Sequence, residues 1–236
     1  MAAHQWPGGG PGRHRSGGGL VPEVRPVSRP ALATLLLAVG LALAGAARAD
    51  PPGRFDYYLL ALSWSPQYCA SEARPGDNQC RRPYGFVVHG LWPQHERGWP
   101  KDCGQGEWLS EELIARMLPI MPSRPLILHE WKKHGVCSGL GAEGYFDAVE
   151  RAYRSIRIPA RYSAPRDYLS LAPATLEADF RAVNPALKPE MLALQCSGNY
   201  LRELRICMDR QLQPRACGAE VRDRCGKQLV LRPSRP

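Results

Sequence analysis

The 236-residue chain is 44% hydrophobic and 22% charged, and its 31 Lys and Arg outnumber 22 Asp and Glu to leave a formal net charge of +9. A positive excess suits a polyanionic substrate without identifying one. No two of the eight Cys form a C-x-x-C pair, which leaves redox-centre and zinc-ribbon readings without support.

Residues 1–30 are rich in Gly, Pro and Arg and lack the apolar periodicity that builds a core. Residues 31–46 are an apolar Leu/Ala run, too short for a comfortable membrane span. Ala47-Arg48-Ala49 follows, a small-x-small cleavage pattern. A signal peptide with a long n-region is therefore expected over residues 1–49, cut after Ala49, with an uncleaved N-terminal anchor as the alternative. Residues 50–236 then make one domain, secreted or periplasmic. The leader holds five Arg and one Glu, so the mature net charge is about +5. All eight Cys lie after the cleavage site, and an even count behind a secretory leader implies a disulfide framework.

Residues 54–64 alternate Phe55, Tyr57 and Leu59 against Asp56, Tyr58 and Leu60, which predicts a strand ended by Pro66. Phe86-Val87-Val88 runs into His89 and stops at Gly90, the pattern of a buried strand delivering a histidine at its end. Residues 108–118 set Leu109, Leu113, Ile114, Met117 and Leu118 at helical spacing, with Glu111 and Glu112 near the start and Pro119 and Pro122 closing it. A second helix is predicted over 126–135. Tyr145, Phe146, Val149, Ala152, Tyr153 and Ile156 define a third that ends at Pro159, and Leu176, Phe180 and Val183 a fourth before Pro185. Strands return at 192–196, after which Ser197-Gly198-Asn199 turns the chain. A strand over 201–208 puts Leu204, Ile206 and Met208 on one face, and 228–231 is a last strand. Strands at both ends with helices clustered between them predict an α+β fold, a central antiparallel sheet with helices packed on it.

The second helix runs into His129-Glu130-Trp131-Lys132-Lys133-His134-Gly135-Val136-Cys137. At about 100° per residue, His129, Lys133, Glu130 and His134 fall at roughly 0°, 40°, 100° and 140°, so they share one face and Trp131 is left to pack inward. Two imidazoles, a carboxylate and an ammonium on one face make a proton-transfer site that can also hold an anion. A helical zinc motif needs its second His four residues after the first. Lys133 occupies that position and His134 lies one further on, so no metal is expected. The plain alternative is a solvated charged face, weakened by the Trp and Cys beside it. His89 taken alone reads as a hydrogen-bonded structural residue; taken with this helix it supplies the second proton-transfer partner.

FVVHGLWP at 86–93 and HEWKKHGVC at 129–137 resemble the two active-site segments of the ribonuclease T2 family, in the same order. Leu60-Ala61-Leu62-Ser63-Trp64-Ser65-Pro66-Gln67-Tyr68-Cys69 is similar to that family's first strand and first half-cystine, and the resemblance runs from about Phe55 to Arg232. Departures are small: Val136 stands where Thr is usual, and Gln94 where a shorter polar residue is frequent, which bears on base preference and not on the chemistry.

The resemblance implies a T2-like fold and an endoribonuclease that cuts single-stranded RNA through a 2′,3′-cyclic phosphate, with no metal and no other cofactor. It implies His134 as base and His89 as acid, although the residues alone would allow the swap. Glu130 and Lys133 would stabilise the transition state and His129 would bind phosphate. Trp92 is the candidate stacking platform for a base, with a core Trp as its alternative; Tyr84 and Tyr68 are weaker candidates, and low base selectivity is expected. The resemblance also implies disulfides Cys103–Cys137 and Cys196–Cys225, to which proximity adds Cys69–Cys80 and Cys207–Cys217. A monomer is expected, with RNA as its partner, no obligate protein partner, and no membrane contact once the leader is cut. The runner-up reading is a catalytically idle binding or inhibitor protein on the same fold, against which stands the intact set His89, His129, Glu130, Lys133 and His134. A metal-dependent hydrolase comes third.

Overall fold

A computed structural model describes residues 49–73 and 75–234; the expected signal peptide over 1–49 lies outside them apart from Ala49. Six strands form one sheet in the order β2-β1-β5-β6-β3, with β4 also paired to β5. They are β1 (Tyr57–Trp64), β2 (Phe86–Gln94), β3 (Leu169–Leu171), β4 (Leu192–Ser197), β5 (Tyr200–Met208) and β6 (Leu229–Leu231). Four of the pairings are antiparallel, and β5 meets β6 in parallel at Tyr200 and Val230. Five α-helices accompany the sheet: α1 (Ser65–Ser71), α2 (Glu111–Met117), α3 (Arg124–Glu130), α4 (Gly141–Ser155) and α5 (Pro173–Val183). The fold is α+β. Among the described residues, no helix is long and apolar enough to cross a membrane.

One face of the sheet is greasy and carries the helices. Tyr58, Leu60, Leu62 and Trp64 of β1, Leu204, Ile206 and Met208 of β5, and Leu192 and Leu194 of β4 point to it. Each fully buried side chain of this kind contributes roughly 1.5–3 kcal/mol over its exposed state. Against them pack Leu113, Ile114 and Met117 of α2, Ile127 of α3, Tyr145, Phe146, Val149 and Ala152 of α4, and Leu176 and Phe180 of α5. The opposite face holds a small second cluster of Tyr57, Leu59, Ala61 and Cys207. β1 is thus buried on both faces, and both of its flanks are also paired, to β2 and β5.

Pro66 does not merely end β1. It sits in the first turn of α1, where its missing N–H costs nothing, and the sequence pattern gave no sign of a helix there. The expected helix over 108–118 starts later, because the Ser110 hydroxyl caps it by accepting from the Leu113 N–H at 3.1 Å. α3 starts earlier than its apolar pattern, capped by Ser123 and carrying Pro125 in its first turn. β3 was not visible in the sequence, since three residues give no periodicity to read. Gly198 takes the positive φ of 57° that lets β4 turn directly into β5.

Four disulfides staple the chain: Cys69–Cys80, Cys103–Cys137, Cys196–Cys225 and Cys207–Cys217. Cys103–Cys137 spans 34 residues and fixes the loop after β2 to the segment after α3. Cys69–Cys80 spans only 11. On the loop-entropy model the longer closure contributes about 4 kcal/mol and the shorter about 3. Replacing both members of a pair by Ser should therefore lower the urea midpoint more for Cys103/Cys137 than for Cys69/Cys80. Equal or reversed losses would show that native packing, and not loop closure, sets the contribution.

Candidate active site

β2 is where the site begins. Its register against β1 slips between Ala61 and Leu62: Ala61 faces Gly90 while Leu62 faces Val88, so His89 is the extra residue of a β-bulge. The bulge switches parity along β2. Phe86 and Val88 point into the helical core, and so does Leu91. His89 and Trp92 are thereby turned to the other face, where both line a cleft of about 410 Å³. Bulges commonly re-aim side chains in this way beside active sites. His89 is therefore not the end of a strand but a bulge within one, because β2 continues to Gln94.

Next to the cleft stands the end of α3, whose His129, Glu130, Lys133 and His134 are not among the residues lining it. Residues Trp131–Gly135 wind as a π turn, closed by the Val136 N–H donating to the Trp131 carbonyl five residues back. The 100° step of a regular helix therefore holds only as far as Glu130. The four candidate groups converge, but at graded depth and not on one even face. Glu130 is 1% exposed, His134 is half-buried, and His129 and Lys133 lie at the surface. Trp131 turns inward as expected. Its Nε1–H donates to the Glu107 carbonyl at 2.8 Å, and its ring packs on Tyr145 and Phe146. Gly135 is required beneath it, since a Cβ there would sit 2.3 Å from the Trp131 ring.

Trp92 joins β2 to the end of α3. Its Nε1–H donates to Glu130 Oε2 at 2.6 Å. His89 lies edge-on to its ring at 5.1 Å, and His134 lies tilted against it at 5.3 Å. The guanidinium of Arg205 stands 5.4 Å over the same ring. Trp92 is thus a half-buried partition between two imidazoles, neither a free platform nor a core residue.

Two residues that sequence reading missed complete the site. Glu203 Oε1 is 2.6 Å from His89 Nδ1, and Arg205 Nε donates to Glu203 Oε2 at 2.7 Å. Both are on β5, on the face opposite Leu204 and Ile206. The alternation that identified that apolar face also put a Glu and an Arg on its reverse, in the middle of a central strand, and that is the signal that could have revealed them. Of the weaker aromatic candidates, Tyr68 lines the cleft and its hydroxyl donates to Asp77. Tyr84 is not among the lining residues. Gln94 turns its amide onto the Pro93 carbonyl at 2.9 Å and stands outside the cleft as well.

The surroundings drive the titratable groups apart. Burial opposes a charge on His89, but the hydrogen bond and charge of Glu203, backed by Glu130, outweigh burial and the contrary pull of Arg205, so its pKa lies above 6.5. Burial acts in the same sense on His134, but without compensation: with Lys133, His129 and His89 nearby, its pKa falls to about 3. His129 is lowered by burial, Lys133 and His89. Burial lifts Glu130 to about 7, held back by His89, the Trp92 hydrogen bond and Lys133. Glu203 lies below the usual carboxylate range because His89 and Arg205 overcome its burial. The surroundings thus favour the proton on His89, oppose one on His134 and favour the protonated form of Glu130. That set can remove a proton, deliver another and hold an anion between.

The family model described as the Ribonuclease T2 family matches residues 55–217. A "Ribonuclease" of Aeromonas hydrophila is 36% identical over 162 residues, covering 67% of this chain and 74% of the relative. A "Probable ribonuclease" of Haemophilus influenzae is 34% identical over 178 residues, covering 69% and 61%. Among solved structures, an "RNase-related protein from Calystegia sepium" superposes with a TM-score of 0.63 at 21% identity, over 77% of this chain and 98% of that one.

Two outcomes follow from the geometry. In an NMR titration His134 should stay neutral down to about pH 3 while His89 keeps its proton past pH 6.5. Lys133→Ala removes a charge that disfavours imidazolium and should raise the His134 midpoint; a fall would reverse the electrostatic reading. Gly90→Ala should disrupt the partition, because a Cβ there would lie 2.1 Å from Glu130 Oε2 and 2.3 Å from Trp92 Nε1. Displacing these groups by about 1 Å should lower turnover roughly 10²-fold. A Gly90→Ala protein at full rate would mean that the Trp92–Glu130 contact is dispensable.

Proposed function

The chain belongs to the ribonuclease T2 family and is an endoribonuclease, and from that premise we propose that His134 and His89 divide the proton transfers of RNA cleavage between them. His134, neutral, takes the proton of the 2′-hydroxyl. The freed O2′ attacks the adjacent phosphorus, and the P–O5′ bond breaks with its electron pair on O5′. His89, protonated, gives its proton to that oxygen. The products are a 2′,3′-cyclic phosphate and a 5′-hydroxyl. Lys133 and His129, exposed at the mouth, hold the non-bridging oxygens, and Glu130 beneath them anchors Trp92 and stabilises the crowded phosphorus.

The observation that carries this reading is that two imidazoles in contact with the same Trp92 ring are displaced in opposite directions. Both have the same ordinary pKa of 6.5, and their surroundings alone separate acid from base. This supports the assignment that the residues by themselves left open. The presence of His89, Glu130, Lys133 and His134 together supports cleavage, and nothing favours a catalytically idle protein.

The preferred substrate is single-stranded RNA. A base must be unstacked to enter the concave cleft and pack along its walls, and a duplex does not offer one. Contacts of that kind discriminate weakly between bases, so low base selectivity is part of the proposal. The four disulfides and the leader pattern support export to a periplasmic or extracellular space, with a monomer as the active form.

The test uses an oligoribonucleotide with one 2′-deoxy substitution, incubated in excess EDTA. Only the bond on the 3′ side of the deoxy nucleotide should resist, since the missing hydroxyl is the nucleophile itself. Neighbouring bonds should be cut at the usual rate to give 2′,3′-cyclic ends. Cleavage at the deoxy position, a 3′-hydroxyl paired with a 5′-phosphate, or loss of activity in EDTA would each overturn the scheme.

A further inference from the structure

Glu203 sits where a β-protein normally places an apolar residue. On β5 it is paired with Ser63 of β1 on one side and Gln195 of β4 on the other, and its side chain is 9% exposed. A buried carboxylate is costly unless its oxygens are satisfied. Here both are. Arg205, two residues along and on the same face of the pleat, holds one oxygen, and His89 Nδ1 meets the other at 2.6 Å. The contact reaches across β1, since His89 is on β2 and Glu203 two strands away, roughly 10 Å by strand spacing. Only Ala61 and Ser63 intervene on that face, and neither is large enough to block the path. The bulge supplies the rest by lifting His89 out of the regular alternation.

We propose that Glu203 is a positioning residue for His89, fixing its ring so that Nδ1 keeps a proton and Nε2 carries the one delivered to the leaving oxygen. The proposal rests on the reading of His89 as acid. His89 faces a second carboxylate, Glu130, whose Oε1 is 3.7 Å from Nε2. Without Glu203 the ring can turn toward Glu130 and present the wrong nitrogen. Arg205 keeps Glu203 ionised and in place. Burial and the charge of Arg205 oppose its protonation, and Glu203 outweighs both, with Glu130 adding in the same sense. Glu203 is therefore the group that keeps an acid available among like charges. In the step itself, the P–O5′ bond breaks, O5′ takes the Nε2 proton, and His89 becomes neutral. Glu203 stays ionised throughout, and solvent returns the proton to Nε2.

The test separates delivery of a proton from general damage to the fold. Two substrates are compared: a dinucleoside monophosphate, whose leaving alkoxide needs an acid, and a uridine 3′-(4-nitrophenyl phosphate), whose leaving phenolate does not. Glu203→Gln should lower kcat on the dinucleotide about 10²-fold or more and move the basic limb of its pH profile to lower pH. On the nitrophenyl ester it should stay close to the wild-type rate. Equal losses on both substrates, or no loss on either, would overturn the proposal. His89→Ala should show the same selective rescue, and if it fails on both substrates the acid role of His89 falls on its own account. A further measurement needs no variant: ¹⁵N NMR of the wild-type protein above the His89 midpoint should find the proton on Nδ1. A proton on Nε2 would also overturn the assignment.

Discussion

The burial of β1 on both faces is the constraint from which the rest of the molecule follows. Tyr58, Leu60, Leu62 and Trp64 demand cover on one side and receive the helices. Tyr57, Leu59 and Ala61 demand cover on the other and receive a small cluster with Cys207, against which Trp92, Cys217 and Val221 pack. The Cys207–Cys217 disulfide holds that cover down. Ser63 is the first polar residue of β1 on this second face, and it lines the cleft. The cleft is thus the stretch of sheet where hydrophobic burial no longer requires a lid. The groups of the candidate site stand at the border between the covered and open parts, on β2 and β5, which flank β1, and at the end of α3.

Two local irregularities bring the two motifs together. In β2 the bulge inserts His89 and turns Trp92 toward the cleft. After α3 the chain widens into a π turn, which changes how far Glu130 and His134 are rotated from each other. A regular strand and a regular helix at these positions would present other side chains. Both irregularities are held by neighbours that leave no slack: Gly90 beneath the Trp92–Glu130 bond, and Gly135 beneath Trp131 and Tyr145. Glycine is needed at both for close approach and not for backbone conformation, since neither has a positive φ.

Much of this was legible in the residues, for identifiable reasons. The apolar faces of α4, α5 and β5 are long enough for their periods to declare themselves, and the two histidine motifs are local in sequence. What was hidden depends on contacts distant in sequence. Glu203 becomes functional only because β5 lies beside β1 and β1 beside β2, and no local pattern encodes that order. The π turn has the same apolar spacing as an α-helix at this length, so the helical wheel extended too far. The alternation read in residues 54–64 marked a strand, but burial of its second face depends on Cys217 and Val221, more than a hundred residues away. Caps such as Ser110 and Ser123 were written in the sequence and lay just outside the windows set by apolar spacing.

The charges at the site are unequally matched, and the mismatch has a direction. Glu203 is answered in contact by Arg205 and His89. Glu130 is answered in contact only by the Trp92 N–H, with His89 next at 3.7 Å, and its pKa is pushed up to about 7. His134 is pressed to about 3 by burial and by the cations around it. An anion entering between these groups changes all of them in one sense, since a nearby negative charge favours every protonated form. In the proposed scheme, a phosphate on Lys133 and His129 would therefore raise His134 from a very weak base toward an effective one. It would favour the proton on His89 and on Glu130, which could then donate a hydrogen bond to the anion that it would otherwise repel. On that reading the substrate's own charge would bring the acid, the base and the buried carboxyl toward the protonation states that the proposed reaction uses.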